Sequence, residues 1–133
     1  MNILVVVAAL MFVSCSVANL HDHIEVKLMK YFNECIEANE ADGQELEDLK
    51  MDKIMPADVS ENFKCAAKCV MDKYEFVDTD TGKLLPEEFK AVFTDENTAD
   101  ELDEPIAACK DSKGENPCDT AFITVFCLMR YED

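Results

Sequence analysis

The sequence predicts an all-α fold, a compact bundle of about six short helices. Three observations carry this. Apolar residues recur at steps of three and four along most of the chain. Alternating apolar–polar runs of strand length are missing. Glycine, with 3 residues, is too scarce for the many tight turns of a β-architecture.

Ahead of the bundle, residues 1–18 read as a signal peptide. They carry no charged side chain, and residues 3–13 form an almost unbroken apolar run. That run is too short to span a bilayer, which takes about 20 apolar residues. Ser16 and Ala18 are the small residues a signal peptidase needs before its cut. Cleavage there leaves residues 19–133 as the mature domain and removes Cys15. Six cysteines remain, Cys35, Cys65, Cys69, Cys109, Cys118 and Cys127, and an even number suits an oxidising, secreted setting.

The first helix shows as a stripe of Ile24, Leu28, Phe32, Cys35 and Ile36. Gly43 ends it. A short second helix is expected over residues 44–53, with Leu46 and Leu49 inward, before Pro56 breaks the chain. Ser60 is the expected N-cap of a third helix carrying Phe63, Ala66, Ala67, Val70, Met71 and Tyr74. Residues 79–83, with Gly82, form a loop. Pro86 opens a fourth helix with Phe89, Val92 and Phe93 inward. A fifth covers residues 98–110, where Pro105 is expected to kink or split it. Asn116 and Pro117 open a sixth that runs to about Met129.

None of these helices is stable alone in water, so they must pack together. Cys65 and Cys69, four apart, share a face and can reach two different partners. Cys118 and Cys127 are nine apart, a net half turn, so they face opposite sides of their helix. Three disulfides are expected, and six cysteines allow about 15 pairings.

Composition excludes several functions. A net charge of −17 disfavours nucleic acid and anionic membrane surfaces. Disorder is excluded by 49% hydrophobic residues and 8 Phe. No enzyme is expected: His21 and His23 fall at the frayed start of the mature chain, and the carboxylates come in solvated runs. The Asp78-to-Gly82 segment opens like a calcium loop, but Gly82 stands one position early and Phe89 takes the place of the closing Glu. Zinc at Cys65 and Cys69 loses to disulfides, so no metal or cofactor is expected. If cleavage follows Ala18, the new terminus Asn19-Leu20-His21 has the nitrogen donors of a square-planar Cu(II) or Ni(II) chelate.

The cysteine spacing is the most specific feature. Successive gaps are 29, 3, 39, 8 and 8 residues. This pattern, with the leader, the size, the acidity and the helical reading, resembles the insect odorant-binding proteins, the pheromone-binding and general odorant-binding family. The resemblance covers the whole mature chain. It implies the interlocked pairing Cys35–Cys69, Cys65–Cys118 and Cys109–Cys127. It also implies helices around an internal apolar cavity that reversibly holds a small hydrophobic ligand, of the odorant or pheromone kind, in aqueous extracellular fluid. Wall positions chosen from helix faces are Leu28, Phe32, Phe63, Ala67, Met71, Phe89, Val92, Phe93, Ile106, Phe122, Phe126 and Met129. Tyr131, in the short tail after Cys127, is expected to cover the mouth, held by the carboxylates of Glu132, Asp133 and the chain end. The partners so implied are the ligand and, in olfaction, a membrane chemoreceptor, with the carrier a monomer or weak dimer. The alternative is a secreted helical signalling or structural protein with a solid core.

Overall fold

The computed structural model describes residues 19–94 and 99–131. Six α-helices lie within them: α1 (Asn19–Ala38), α2 (Gln44–Lys50), α3 (Glu61–Lys73), α4 (Pro86–Phe93), α5 (Ala99–Cys109) and α6 (Pro117–Arg130). A 3-10 turn at Pro56–Asp58 joins α2 to α3. The chain is all-α, and its only β feature among the described residues is an isolated bridge between Val77 and Leu84. The expected leader, residues 1–18, lies outside the described residues. None of the described helices is long and apolar enough to cross a membrane.

The helix starts follow their sequence signals. The Ser60 hydroxyl accepts the Phe63 N–H of α3 at 3.3 Å, and the Asn116 side chain accepts the Asp119 N–H of α6 at 2.9 Å. Pro86 and Pro117 occupy first-turn positions, where no N–H is required. Glu45 adds a tie that spacing alone does not reveal. Its carboxylate takes the Ser60 N–H at 2.9 Å and the Ser60 hydroxyl at 2.6 Å, which fixes α2 to the start of α3.

The helix ends are less conventional. Glu40, Asp52 and Glu75 sit at φ 52, 55 and 59°, the left-handed position that usually falls to glycine. At the end of α2 the Lys53 N–H reaches the Asp48 carbonyl at 2.8 Å, and the Asp52 N–H reaches that of Leu49 at 3.2 Å. This Schellman-type closure stops α2 at Lys50, three residues before the expected Lys53. The expected break at Pro105 does not split α5. Pro105 is fully buried within the helix, where the packing of its ring keeps the chain helical despite the missing N–H.

The three disulfides are Cys35–Cys69, Cys65–Cys118 and Cys109–Cys127, with Cα separations of 5.7, 4.6 and 5.7 Å. They join α1 to α3, α3 to α6 and α5 to α6. Helix α3 packs between α1 and α6, so these two bridges sit on its two contacts.

The apolar interior divides into two main parts. One is a solid core in which Ile24, Met71, Phe76, Phe89, Phe93, Leu102, Ile106 and Leu128 are buried together. The Phe76 ring meets Phe89 edge-on at 5.4 Å, and Phe89 meets Phe93 at 4.7 Å. The other gathers Leu49, Val59, Phe63 and Phe122, with Phe32, Leu46 and Phe126 packed against them. A smaller group, Cys35, Ala66 and Val70, backs the first disulfide.

Candidate ligand-binding site

The second part of the interior is hollow. A cavity of about 470 Å³, partly open to solvent, lies between α1, α2, α3 and α6. Helical spacing builds each wall. From α1, Glu25, Leu28, Met29 and Phe32 border it, at steps of three and four. From α3 come Phe63, Ala67 and Val70, and from α6 come Phe122, Val125, Phe126, Met129 and Arg130. Leu46, Leu49 and Lys50 of α2, with Asp52 just beyond it, close the remaining side. Three rings shape the interior: Phe63 meets Phe32 edge-on at 6.1 Å and Phe122 at 6.3 Å.

Of the residues expected as wall, Leu28, Phe32, Phe63, Ala67, Phe122, Phe126 and Met129 border this cavity. Met71, Phe89, Phe93 and Ile106 instead fill the solid core, with Val92 packed against it. The reason is Phe76, which the sequence left in a connecting segment. It is buried against Phe89 and Phe93 and occupies the space those rings would otherwise border. Tyr131 is half-buried beyond the end of α6 and is not on the cavity wall, while Glu132 and Asp133 of the expected cover lie outside the described residues. Wall residues missed by the sequence reading include Glu25, Met29, Lys50, Asp52, Val125 and Arg130. For Glu25, Met29, Val125 and Arg130 the signal was available, since each stands three or four positions from a residue that was chosen, whereas no position of α2 was chosen from which Lys50 or Asp52 could have been found.

All the polar side chains on the wall are charged, and all reach solvent, so they mark the mouth. Lys50 and Glu25 form an ion pair between α2 and α1. The hydrogen bond that the Lys50 ammonium donates to the Glu25 carboxylate holds its pKa above the ordinary value. The Arg130 guanidinium lies over the Phe126 ring at 4.8 Å and contacts Asp52 at 3.4 Å. No buried side-chain nitrogen or oxygen among the described residues lacks a hydrogen-bond partner. Deeper in, the wall is hydrocarbon.

The two principal wall helices are tied beside the Cys65–Cys118 bridge by Lys64 and Asp119, 3.0 Å apart and each largely buried. The Glu115 N–H, and then Lys64, hold the Asp119 carboxyl below its ordinary value. A depressed folded value means that its stabilisation is complete above the unfolded pKa, about 4, and is lost as pH falls through the folded value. Thermal melting is therefore expected to change little from about pH 7 to 5 and to fall in stronger acid. Asp119→Asn should cost about 1–2 kcal/mol at neutral pH and flatten part of that acid slope. An unchanged slope in melts from neutral to acid pH would contradict this role.

The candidate metal grouping is Glu61, Cys65 and Cys118, but both sulfurs belong to a disulfide and offer no thiolate. The side chains of His21 and His23 lie outside the described residues.

The PBP/GOBP family model matches residues 17–131. No curated protein matches the chain. Among solved structures, the fatty acid binding protein OBP56a from the oral disk of the blowfly Phormia regina is similar at TM-score 0.57 and 20% identity. That match covers 77% of this chain and 86% of that one. Odorant-binding protein dmelOBP28a from Drosophila melanogaster is similar at TM-score 0.56 and 25% identity, over 82% of this chain and 92% of that one.

Proposed function

Since the chain belongs to the PBP/GOBP family, we propose that it is a secreted carrier that reversibly takes small hydrophobic molecules out of water into the cavity between α1, α2, α3 and α6. The observation that carries this reading is the cavity itself. Its volume, about 470 Å³, suits a small organic ligand, and its inner wall is hydrocarbon. No covalent step or cofactor is needed. Each buried methylene of a ligand contributes about 0.8 kcal/mol, so a ten-carbon chain gains about 8 kcal/mol before ordering costs.

Secretion follows from residues 1–18 as a cleaved leader and from the three disulfides, which persist in oxidising fluid. Odorant- or pheromone-like molecules are the proposed cargo. The blowfly relative is named for fatty acid binding, so long-chain acids belong among the test ligands. The ligand-contacting residues proposed here are Leu28, Phe32, Phe63, Ala67, Phe122, Phe126 and Met129.

A naphthylamine dye that fluoresces in apolar surroundings is expected to bind saturably and to be displaced by long-chain alcohols or esters. Ala67→Phe should fill the space beside Phe63 and lower dye affinity by about tenfold or more. Melting should change little, because the added ring enters a cavity instead of a packed core. Absence of saturable dye binding by the folded wild type would sink the carrier reading and favour a helical protein with a signalling or structural role.

A further inference from the structure

A ligand inside this cavity can place a polar end in only one region. Every inner wall residue is apolar, and Glu25, Lys50, Asp52 and Arg130 stand together at the mouth. A polar group pushed inward would lose its water and find no side-chain partner.

The two cations at the mouth differ. Lys50 is engaged with Glu25, a contact strong enough to raise its pKa. Arg130 is held differently. Its guanidinium rests on the Phe126 ring at 4.8 Å, and Phe126 is itself part of the cavity wall. Its acidic partner is weakly placed: a single nitrogen of Arg130 contacts Asp52 at 3.4 Å, and the Asp52 side chain is 83% exposed. An ion pair so exposed contributes almost nothing, so exchanging Asp52 for another carboxylate is nearly free. A guanidinium kept in place by its ring contact can then grip both oxygens of the newcomer.

We propose that Arg130 is the headgroup-selecting residue of the cavity. It holds the carboxylate of a single-headed, long-chain amphiphile at the mouth, while the chain runs inward past Phe126 and Phe122 toward Phe63 and Val70. This rests on the carrier reading above and adds an orientation and a ligand class to it. The net charge of −17 opposes anions at a distance. At physiological salt that field decays over about 8 Å, whereas the guanidinium acts in contact. A neutral hydroxyl at the same place gains an ordinary hydrogen bond, roughly half as strong as the charged pair.

The test compares dodecanoic acid with dodecanol as competitors of the naphthylamine dye at neutral pH, using the mature disulfide-bonded chain. The acid is expected to bind about five- to tenfold more tightly than the alcohol. Arg130→Gln should abolish that preference by weakening the acid alone. Arg130→Lys should keep part of it, and Asp52→Asn should increase it by removing the competing carboxylate. Raising salt should narrow the ratio in the wild type and leave it unchanged in Arg130→Gln. Equal binding of acid and alcohol by the wild type, or an equal loss of both in Arg130→Gln, overturns the proposal and leaves the carrier reading intact. Failure of the dye and both competitors to bind the folded protein overturns both.

Discussion

Replacing Cys65 and Cys118 together by alanine is expected to lower stability by about 4 kcal/mol. The bridge spans 53 residues, against 34 for Cys35–Cys69 and 18 for Cys109–Cys127. Loop-closure entropy grows with the logarithm of that separation, which gives about 3.8 kcal/mol for Cys35–Cys69 and about 3.2 kcal/mol for Cys109–Cys127. The loss is a large share of the 5–15 kcal/mol typical of a domain. It also falls on the site. The bridge fastens α3 to α6 near Phe63 and Phe122, two wall residues whose rings meet edge-on at 6.3 Å. The hollow lies beside this seam, so wall residues on both helices depend on the relative placement that the bridge helps to fix. Urea denaturation of the three double-alanine variants checks the order, and dye affinity of the folded fraction checks the coupling. If removing Cys109–Cys127 were the most damaging, loop closure would be the wrong account.

Gly82→Ala is expected to be nearly as severe, at about 3–5 kcal/mol. Gly82 has φ +75°, and a Cβ there would lie 2.1 Å from the Pro117 carbonyl oxygen and 2.9 Å from its carbon. Both obstacles are backbone, so no rotamer change relieves them. The turn is otherwise well built. The Asp78 carboxylate accepts the N–H groups of Asp80 and Thr81 at 2.9 Å each, and the Gly82 N–H reaches the Asp78 carbonyl at 2.7 Å. Bonds from Thr81 and Asp80 hold the Asp78 carboxyl below its ordinary pKa. Flanking this turn, Phe76, Val77 and Leu84 enter the solid core. Displacing the turn would therefore loosen α4 and the start of α6 together. Equilibrium unfolding should show the loss, while dye affinity of the remaining folded protein is expected to stay near the wild-type value, because no residue of the turn borders the cavity. A variant with wild-type stability would show that Pro117 can yield.

Helix positions were legible where local chemistry decides them. Ser60, Pro86, Asn116 and Pro117 act at helix starts because a cap or a missing N–H works within one turn. The ends were harder to read. Glu40, Asp52 and Glu75 take the left-handed position without being glycine, so the usual stop signal is absent and α2 seemed longer than it is. At Pro105 the helix is not split, the buried ring sitting inside α5. The wall showed the same limit. Phe63 and Phe89 have identical credentials in sequence, an aromatic on the inner face of a helix, yet only Phe63 borders the cavity.

The sequence by itself determined the helical class, the spacing of the six cysteines in residues 19–133 and which face of most helices turns inward, because periodicity and capping are local properties. Two decisions were left to the tertiary structure. The first is where the inward faces meet side chains and where they meet space, since Phe76, from a connecting segment, fills one side of the interior and nothing equivalent fills the other. The second is the charged mouth. Glu25, Lys50, Asp52 and Arg130 are far apart in the chain and read singly as solvated surface. They become one site only because packing α1, α2 and α6 around a hollow brings their exposed ends to the same rim.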